Sequence, residues 1–121
     1  MPIVEVEVIL RPAETLRDEL AQELADALGE ALNTASGTTW VKVDGRTHNR
    51  YAESGGMTAD TFPVFVTILK SSLPALEART AEAERVTACV SRICERPPEN
   101  VHIIYLPEGK GRVAFGGDLV R

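Results

Sequence analysis

The sequence predicts an α+β domain of two tandem β-α-β units, whose four strands form one sheet with both helices on the same face. Three observations carry this. The order strand, helix, strand, glycine-rich loop occurs twice along the 121 residues. Pro2 and Pro63 are 61 residues apart, and so are Gly55-Gly56 and Gly116-Gly117. Residues 13–33 place Leu16, Leu20, Leu24, Leu28 and Leu32 at intervals of four, the mark of a helix that buries one stripe. The chain reads as a single domain over 1–121, with pseudo-repeats 1–61 and 62–121.

Each element has its own signal. In residues 2–10 (PIVEVEVIL), Ile3, Glu5 and Glu7 alternate with Val4, Val6 and Val8, the period of a strand with one apolar face. Arg11-Pro12 ends it, because proline cannot continue a paired strand. In the helix expected over 13–33, Ala21, Ala27 and Ala31 widen the leucine stripe and suit close packing on a sheet. Residues 34–37 break it. Residues 38–43 (TTWVKV) give a second strand, with Trp40 and Lys42 on one side and Val41 and Val43 on the other. Residues 44–60 are long for a plain connection, so they form a functional loop or hold a short extra strand or hairpin.

The second unit repeats the order. Residues 62–70 (FPVFVTILK) are a third strand. Residues 74–95 are a helix opened by Pro74, with Leu76, Thr80, Ala83, Val86, Thr87, Val90, Ile93 and Cys94 on its apolar face, and Arg96-Pro97-Pro98 stops it. Residues 100–106 (NVHIIYL) are a fourth strand, 107–117 a polar, glycine-rich loop, and 118–121 a tail. Aligned by the prolines, PIVEVEVILR lies over PVFVTILKSS, WVKV over VHII and YAESGG over RVAFGG. Each unit crosses right-handedly over the sheet, so both helices share a face. The other face, carrying Val, Ile and Phe side chains with no helix left to cover it, is expected to drive oligomerisation.

Composition bounds the function. The net charge is −5 with no basic block, which argues against nucleic acid as a partner. No segment is apolar enough to span a membrane and no secretory signal is evident, so a cytoplasmic protein is expected. Cys89 and Cys94 are five apart, which turns them to different sides of a helix, and they read as reduced packing thiols. His48 and His102 show no metal-ligand spacing to each other or to the cysteines, so neither a metal nor another cofactor is expected.

The initial Met1-Pro2, the β-α-β repeat, the Gly-Gly after each second strand and the ending GKGRVAFGGDLV resemble the tautomerase superfamily. Its small members are similar to 4-oxalocrotonate tautomerase (4-OT), with one β-α-β unit per chain. Longer members are similar to macrophage migration inhibitory factor (MIF) and malonate semialdehyde decarboxylase, with two fused units. The resemblance covers nearly the whole chain and implies a homotrimer acting on a small-molecule carboxylate or enol. It implies that Pro2, once Met1 is removed, is an N-terminal secondary amine acting as general acid and base in keto–enol tautomerisation, an isomerase activity. Pro63 is held in a mid-chain amide and cannot accept a proton, so one active site per chain is expected.

The same resemblance implies the rest of the site. Lys70 falls where fused members place arginines that hold a substrate carboxylate. Arg11 sits at the matching end of the first strand. His102 stands where one-unit enzymes carry an arginine that polarises the substrate carbonyl, with Lys42 as its first-repeat counterpart. Tyr105 aligns with a tyrosine that dehalogenase and hydratase members use near the proline, and Arg112 is a further cation. Ile3, Trp40, Val113 and Phe115 are candidate apolar walls. Thr38 and Thr39 stand where the decarboxylases place an aspartate, which favours tautomerisation. Decarboxylase, dehalogenase or hydratase activity remains the alternative within the superfamily, as does a non-catalytic, ligand-binding trimer if Met1 is retained.

Overall fold

A computed structural model describes residues 2–58 and 61–121. Met1, whose loss the proline chemistry requires, and the last two residues of the 44–60 segment lie outside them. Among the described residues, β1 (Ile3–Leu10), β2 (Trp40–Thr47), β3 (Val64–Leu69) and β4 (Val101–Tyr105) form one sheet in the order β2-β1-β3-β4. β1 runs parallel to β2 and β3 parallel to β4, as two β-α-β units require, and the units meet along an antiparallel β1–β3 seam. The seam register pairs Val6 with Val66 at its middle and Ile3 with Leu69 at one end. The helices α1 (Leu20–Ala31) and α2 (Leu76–Cys94) lie on one face.

The core is the alternation seen in the sequence, closed by those helices. Val4, Val6 and Val8 of β1 and Val64, Val66 and Ile68 of β3 are buried against Leu20, Leu24 and Leu28 of α1 and Val86 and Val90 of α2. Each such side chain contributes roughly 1.5–3 kcal/mol by leaving water. Cys89 and Cys94 are free thiols, and burial pushes Cys94 up to about 11, which keeps it a neutral packing group. No helix of the described residues is long and apolar enough to cross a membrane.

Four expectations are corrected. The first helix begins at Leu20, not residue 13, because Glu14 holds the preceding chain in another path. Its carboxylate accepts from the Arg11 backbone N–H (2.8 Å) and from the Arg96 guanidinium (2.8 and 3.2 Å). β2 runs on to Thr47, and a 3-10 turn at His48–Arg50 follows. In α2, Leu76 is 72% exposed, and Glu82 takes a place on the buried face.

The fourth correction concerns the open sheet face, where charge pairs stand among the apolar side chains. Phe65, Leu69 and Ile104 lie over β3 and β4, whereas the β1–β2 side carries ion pairs, Glu5–Lys42 at 2.8 Å and Glu7–Arg46 at 3.1 Å. The valines that alternate with them face the helices.

The packed positions also repeat at 62 residues, one more than the prolines and glycine pairs do. Leu24 and Leu28 match Val86 and Val90 by burial, and Asn33 and Glu95 match as the left-handed residues that end each helix, with φ of 55° and 56°. On this alignment Val64, not Pro63, is the counterpart of Pro2. Trp40, not Lys42, is the counterpart of His102.

Arg96 clamps the far end of the sheet. Its side chain is almost wholly buried, and its guanidinium donates to the backbone carbonyls of Ile9 (2.8 Å), Phe62 (2.7 Å) and Cys94 (2.9 Å) as well as to Glu14. Arg96→Met removes the main partner of the partly buried Glu14 carboxylate and strands three carbonyls, so it is expected to cost about 2–4 kcal/mol in chemical denaturation. Burial opposes ionisation of Glu14, but the Arg96 and Arg11 contacts outweigh it and leave its pKa below the usual 4.5. The contribution of this pair is therefore complete above pH 4.5 and is lost as pH falls through the lower folded value. The acid-side decline of stability should flatten in Arg96→Met.

Candidate active site

Residue Pro2 is buried at the start of β1, and its carbonyl accepts the Trp40 backbone N–H at 3.0 Å. One step beyond the Ile3–Leu69 pair, the antiparallel seam brings Pro2 and Lys70 to the same end of the sheet. That end is closed by the C-terminal segment. The Gly109 N–H donates to the Lys70 carbonyl (2.8 Å) and the Lys110 N–H to that of Ser71 (3.2 Å). A Cβ at Gly109 would come within 3.2 Å of a Val113 methyl and 3.4 Å of Leu69 and the Lys70 carbonyl, so a larger residue there needs Val113 to give by a few tenths of an ångström.

The loop ends in a hairpin, β5 (Ala114–Phe115) with β6 (Asp118–Leu119). Gly116 and Gly117 form its turn, with φ of 58° and 89°, which is why a glycine pair stands there. The hairpin carries Phe115 against Trp40, ring centroids 5.2 Å apart and nearly perpendicular. Thus Pro2, Trp40, Val113 and Phe115, from three separate segments, gather at one end. Trp40 and Phe115 also line an apolar hollow with Gly37 and Thr38; Pro2 is not part of its lining. A larger hollow, lined by Gln22, Asp26, Glu30 and Thr34, lies beside α1 and holds none of the expected site residues.

Lys70 and Tyr105 are joined by a residue the sequence reading missed. Glu82 of α2 is 4% exposed; one carboxylate oxygen accepts from the Lys70 Nζ and the other from the Tyr105 hydroxyl, both at 2.6 Å. Burial, then the bond to and charge of Glu82, push the Tyr105 phenol well above its ordinary value, so it stays a neutral donor. Under the 62-residue repeat, Lys70, Glu82 and Tyr105 replace Val8, Leu20 and Val43. A polar triad thus occupies a position that is apolar in the first unit. Its signal was present in the sequence: Glu82 precedes Val86 and Val90 at the four-residue spacing of the buried stripe.

The remaining candidates are not brought to Pro2 within this chain. Arg11 lies at the opposite end of β1, roughly 30 Å away at about 3.3 Å per residue. Its side chain is bonded to Glu14 and the Glu95 carbonyl. Lys42 is on the open face, paired with Glu5. His102 is also on the open face, tilted against Phe65 with centroids 5.5 Å apart, about five residues from the Lys70 end. Arg112 is on the loop at the Pro2 end, but its guanidinium donates to the Glu108 and Pro107 carbonyls. Thr39 is buried and hydrogen-bonded to Thr34, so no carboxylate stands ahead of β2. Among the described residues no cluster of three or more His, Cys, Asp or Glu is arranged to hold a metal ion.

The sequence matches no protein family and no curated protein. Solved structures do match over nearly the whole chain. The Q0 fused 4-OT symmetric trimer is similar with a TM-score of 0.78 and 13% identity, covering 98% of this chain and 94% of that one. The MIF of Trichinella spiralis is similar with a TM-score of 0.74 and 11% identity, covering 97% and 98%. The FG41 malonate semialdehyde decarboxylase is similar with a TM-score of 0.70 and 13% identity, covering 94% and 88%. These likenesses and the geometry above define the class: the chain has the fold of the tautomerase superfamily. Within that class it has the two-unit form, with both β-α-β units in one chain.

The triad makes a stability prediction. Glu82→Leu alone leaves the Lys70 ammonium and the Tyr105 hydroxyl partly buried and unpaired, and is expected to cost about 2–4 kcal/mol. The triple variant Lys70→Met, Glu82→Leu, Tyr105→Phe restores an apolar layer and should be neutral or stabilising by about 1–3 kcal/mol. Denaturant titrations at one fixed protomer concentration compare the two.

Proposed function

We propose that the chain is a tautomerase that uses the Pro2 amine, freed by removal of Met1, as general acid and base on a small 2-oxo acid or enol. The observation that carries this reading is the placement of Pro2, buried at the start of β1 where Trp40, Val113 and Phe115 gather. An α-amino group titrates near ~7.7–8.0 in peptides, and burial among apolar walls disfavours its charged form. A neutral secondary amine there takes a proton from the carbon beside the substrate carbonyl, leaving an enolate that becomes the enol when its oxygen is protonated. The resulting ammonium returns the proton in the reverse direction. Trp40, Val113 and Phe115 form an apolar side to the site, and because Trp40 is 54% exposed, exclusion of water needs cover from another copy.

A homotrimer completes the reading. The apolar side of the open face, with Phe65, Leu69 and Ile104, needs cover. A structural neighbour, the fused 4-OT, is described as a trimer. Lys42, His102 and Arg11 reach a proline site only from another copy, and Arg112 is a loop cation at the chain's own site. The free thiols Cys89 and Cys94 accord with a reducing, cytoplasmic setting. Thr39 where a decarboxylase would carry an aspartate favours tautomerisation over decarboxylation.

Pro2→Ala, with Met1 removal verified by intact mass, should reduce ketonisation of phenylenolpyruvate by about 10²–10⁴-fold, the usual worth of a general acid–base group. Full activity in that variant overturns the proline mechanism, and a native mass that retains Met1 leaves the non-catalytic, ligand-binding reading in its place. Sedimentation at micromolar protein should give three chains per particle.

A further inference from the structure

At the Lys70 end of the sheet, the second unit differs from the first in one connected way. Three apolar residues of the first unit, Val8, Leu20 and Val43, give way to Lys70, Glu82 and Tyr105. The exchange spans two strands and a helix, and the three new side chains bond to one another. The Lys70–Glu82 pair is short, at 2.6 Å, and its side chains are 17% and 5% exposed. Its exposure is far below that of the open-face pair Glu5–Lys42, at 59% and 65%.

Burial decides what this lysine can do. To reach a substrate anion, the Lys70 ammonium has to leave a carboxylate that has almost no access to water. Stranding a buried charge costs more than a partly exposed ion pair returns. Tyr105 cannot take over the pairing, because its hydroxyl already donates to the other oxygen of the same carboxylate and its phenol stays neutral. The charge of Lys70 is therefore cancelled inside the protein at the end of the sheet where the Pro2 site is formed.

We propose that Glu82 is a specificity-determining positioning residue: by holding Lys70 it withholds a cation from the site, which then takes a 2-oxo acid or enol with one carboxylate in preference to a dicarboxylate. This deepens, and rests on, the placing of a substrate site at Pro2. It also departs from the resemblance, which gave Lys70 the substrate carboxylate to hold. The loop keeps two cations at this end: the exposed Lys110, and Arg112, which meets a single anionic group once its contacts to the Glu108 and Pro107 carbonyls yield.

The test is a matched pair of ligands, 2-oxohexanoate and 2-oxoadipate, which differ only in the terminal carboxylate. Their binding is measured by calorimetry at constant pH and salt. The wild-type protein should bind 2-oxohexanoate at least as tightly as 2-oxoadipate. Glu82→Gln should bind 2-oxoadipate about tenfold tighter than the wild type, a normal return for one freed charge. It should leave 2-oxohexanoate within about twofold. Glu82→Leu should give the same gain, and the double variant Glu82→Gln, Lys70→Met should lose it, which a merely structural role of Glu82 does not produce.

The proposal is overturned if the wild type prefers 2-oxoadipate, a comparison that needs no variant to fold. It is equally overturned if the ratio is unchanged in both Glu82 variants, if the gain survives Lys70→Met, or if the wild type binds neither ligand. Binding does not require turnover, so the two readings fail separately. Turnover independent of Pro2 sinks the tautomerase alone, and a fixed binding ratio sinks the role of Glu82 alone.

Discussion

The antiparallel pairing of β1 with β3 is the constraint from which the rest of the molecule follows. Each β-α-β unit can satisfy its own two parallel strands, but it leaves a strand edge and an apolar sheet face open. Joining the units along β1–β3 pairs the two inner edges and puts α1 and α2 over one continuous floor of valine and isoleucine. Because the seam is antiparallel, the start of β1 meets the end of β3. That geometry places Pro2, which opens the first strand of one unit, beside Lys70, which follows the first strand of the other. Two parallel units joined parallel would have set these residues at opposite ends of the sheet.

The two ends of the sheet solve different problems. At the far end, Arg96 satisfies carbonyls from three segments and holds Glu14, so its buried charge ties the units together. At the Pro2 end, the buried charges belong to Lys70 and Glu82, and an apolar alternative demonstrably fits, since the first unit uses one. A buried ion pair is weak evidence of stabilisation. Where the same fold fills the equivalent position with Val8, Leu20 and Val43, the polar version is better explained by what it does to the site than by what it adds to the core.

The open face shows a related division. Over β1 and β2 it carries paired charges beside Ile3 and Trp40, and over β3 and β4 mainly aromatic and aliphatic side chains. An oligomer formed on such a face gains hydrophobic burial from one half and register from the other, because like charges brought together across an interface are costly.

The fold was legible in the sequence because it is written in short-range periodicities. The two-residue alternation of Val4, Val6 and Val8 and the four-residue stripe from Leu20 to Leu32 are local patterns that only one layer arrangement buries. Pro2 was legible as a candidate base because its chemistry depends on its position in the chain. The glycine pair at Gly116-Gly117 was legible because a tight turn demands positive φ. What could not be read were relations between residues far apart in the chain. The sequence shows Lys70, Glu82 and Tyr105 as a strand-end lysine, a helix glutamate and a strand tyrosine; only the packing of α2 on β3 and β4 joins them. The resemblance placed Lys42 opposite His102, whereas burial pairs His102 with Trp40. Helix α1 lost its first turns to Glu14 because Arg96, 82 residues away, competes for that carboxylate. By itself the sequence determined the elements and their order, and it singled out Pro2 as the candidate base. The tertiary structure alone decided which charges meet and which cancel, because electrostatic partners are set by distance in space, and local patterns do not encode it.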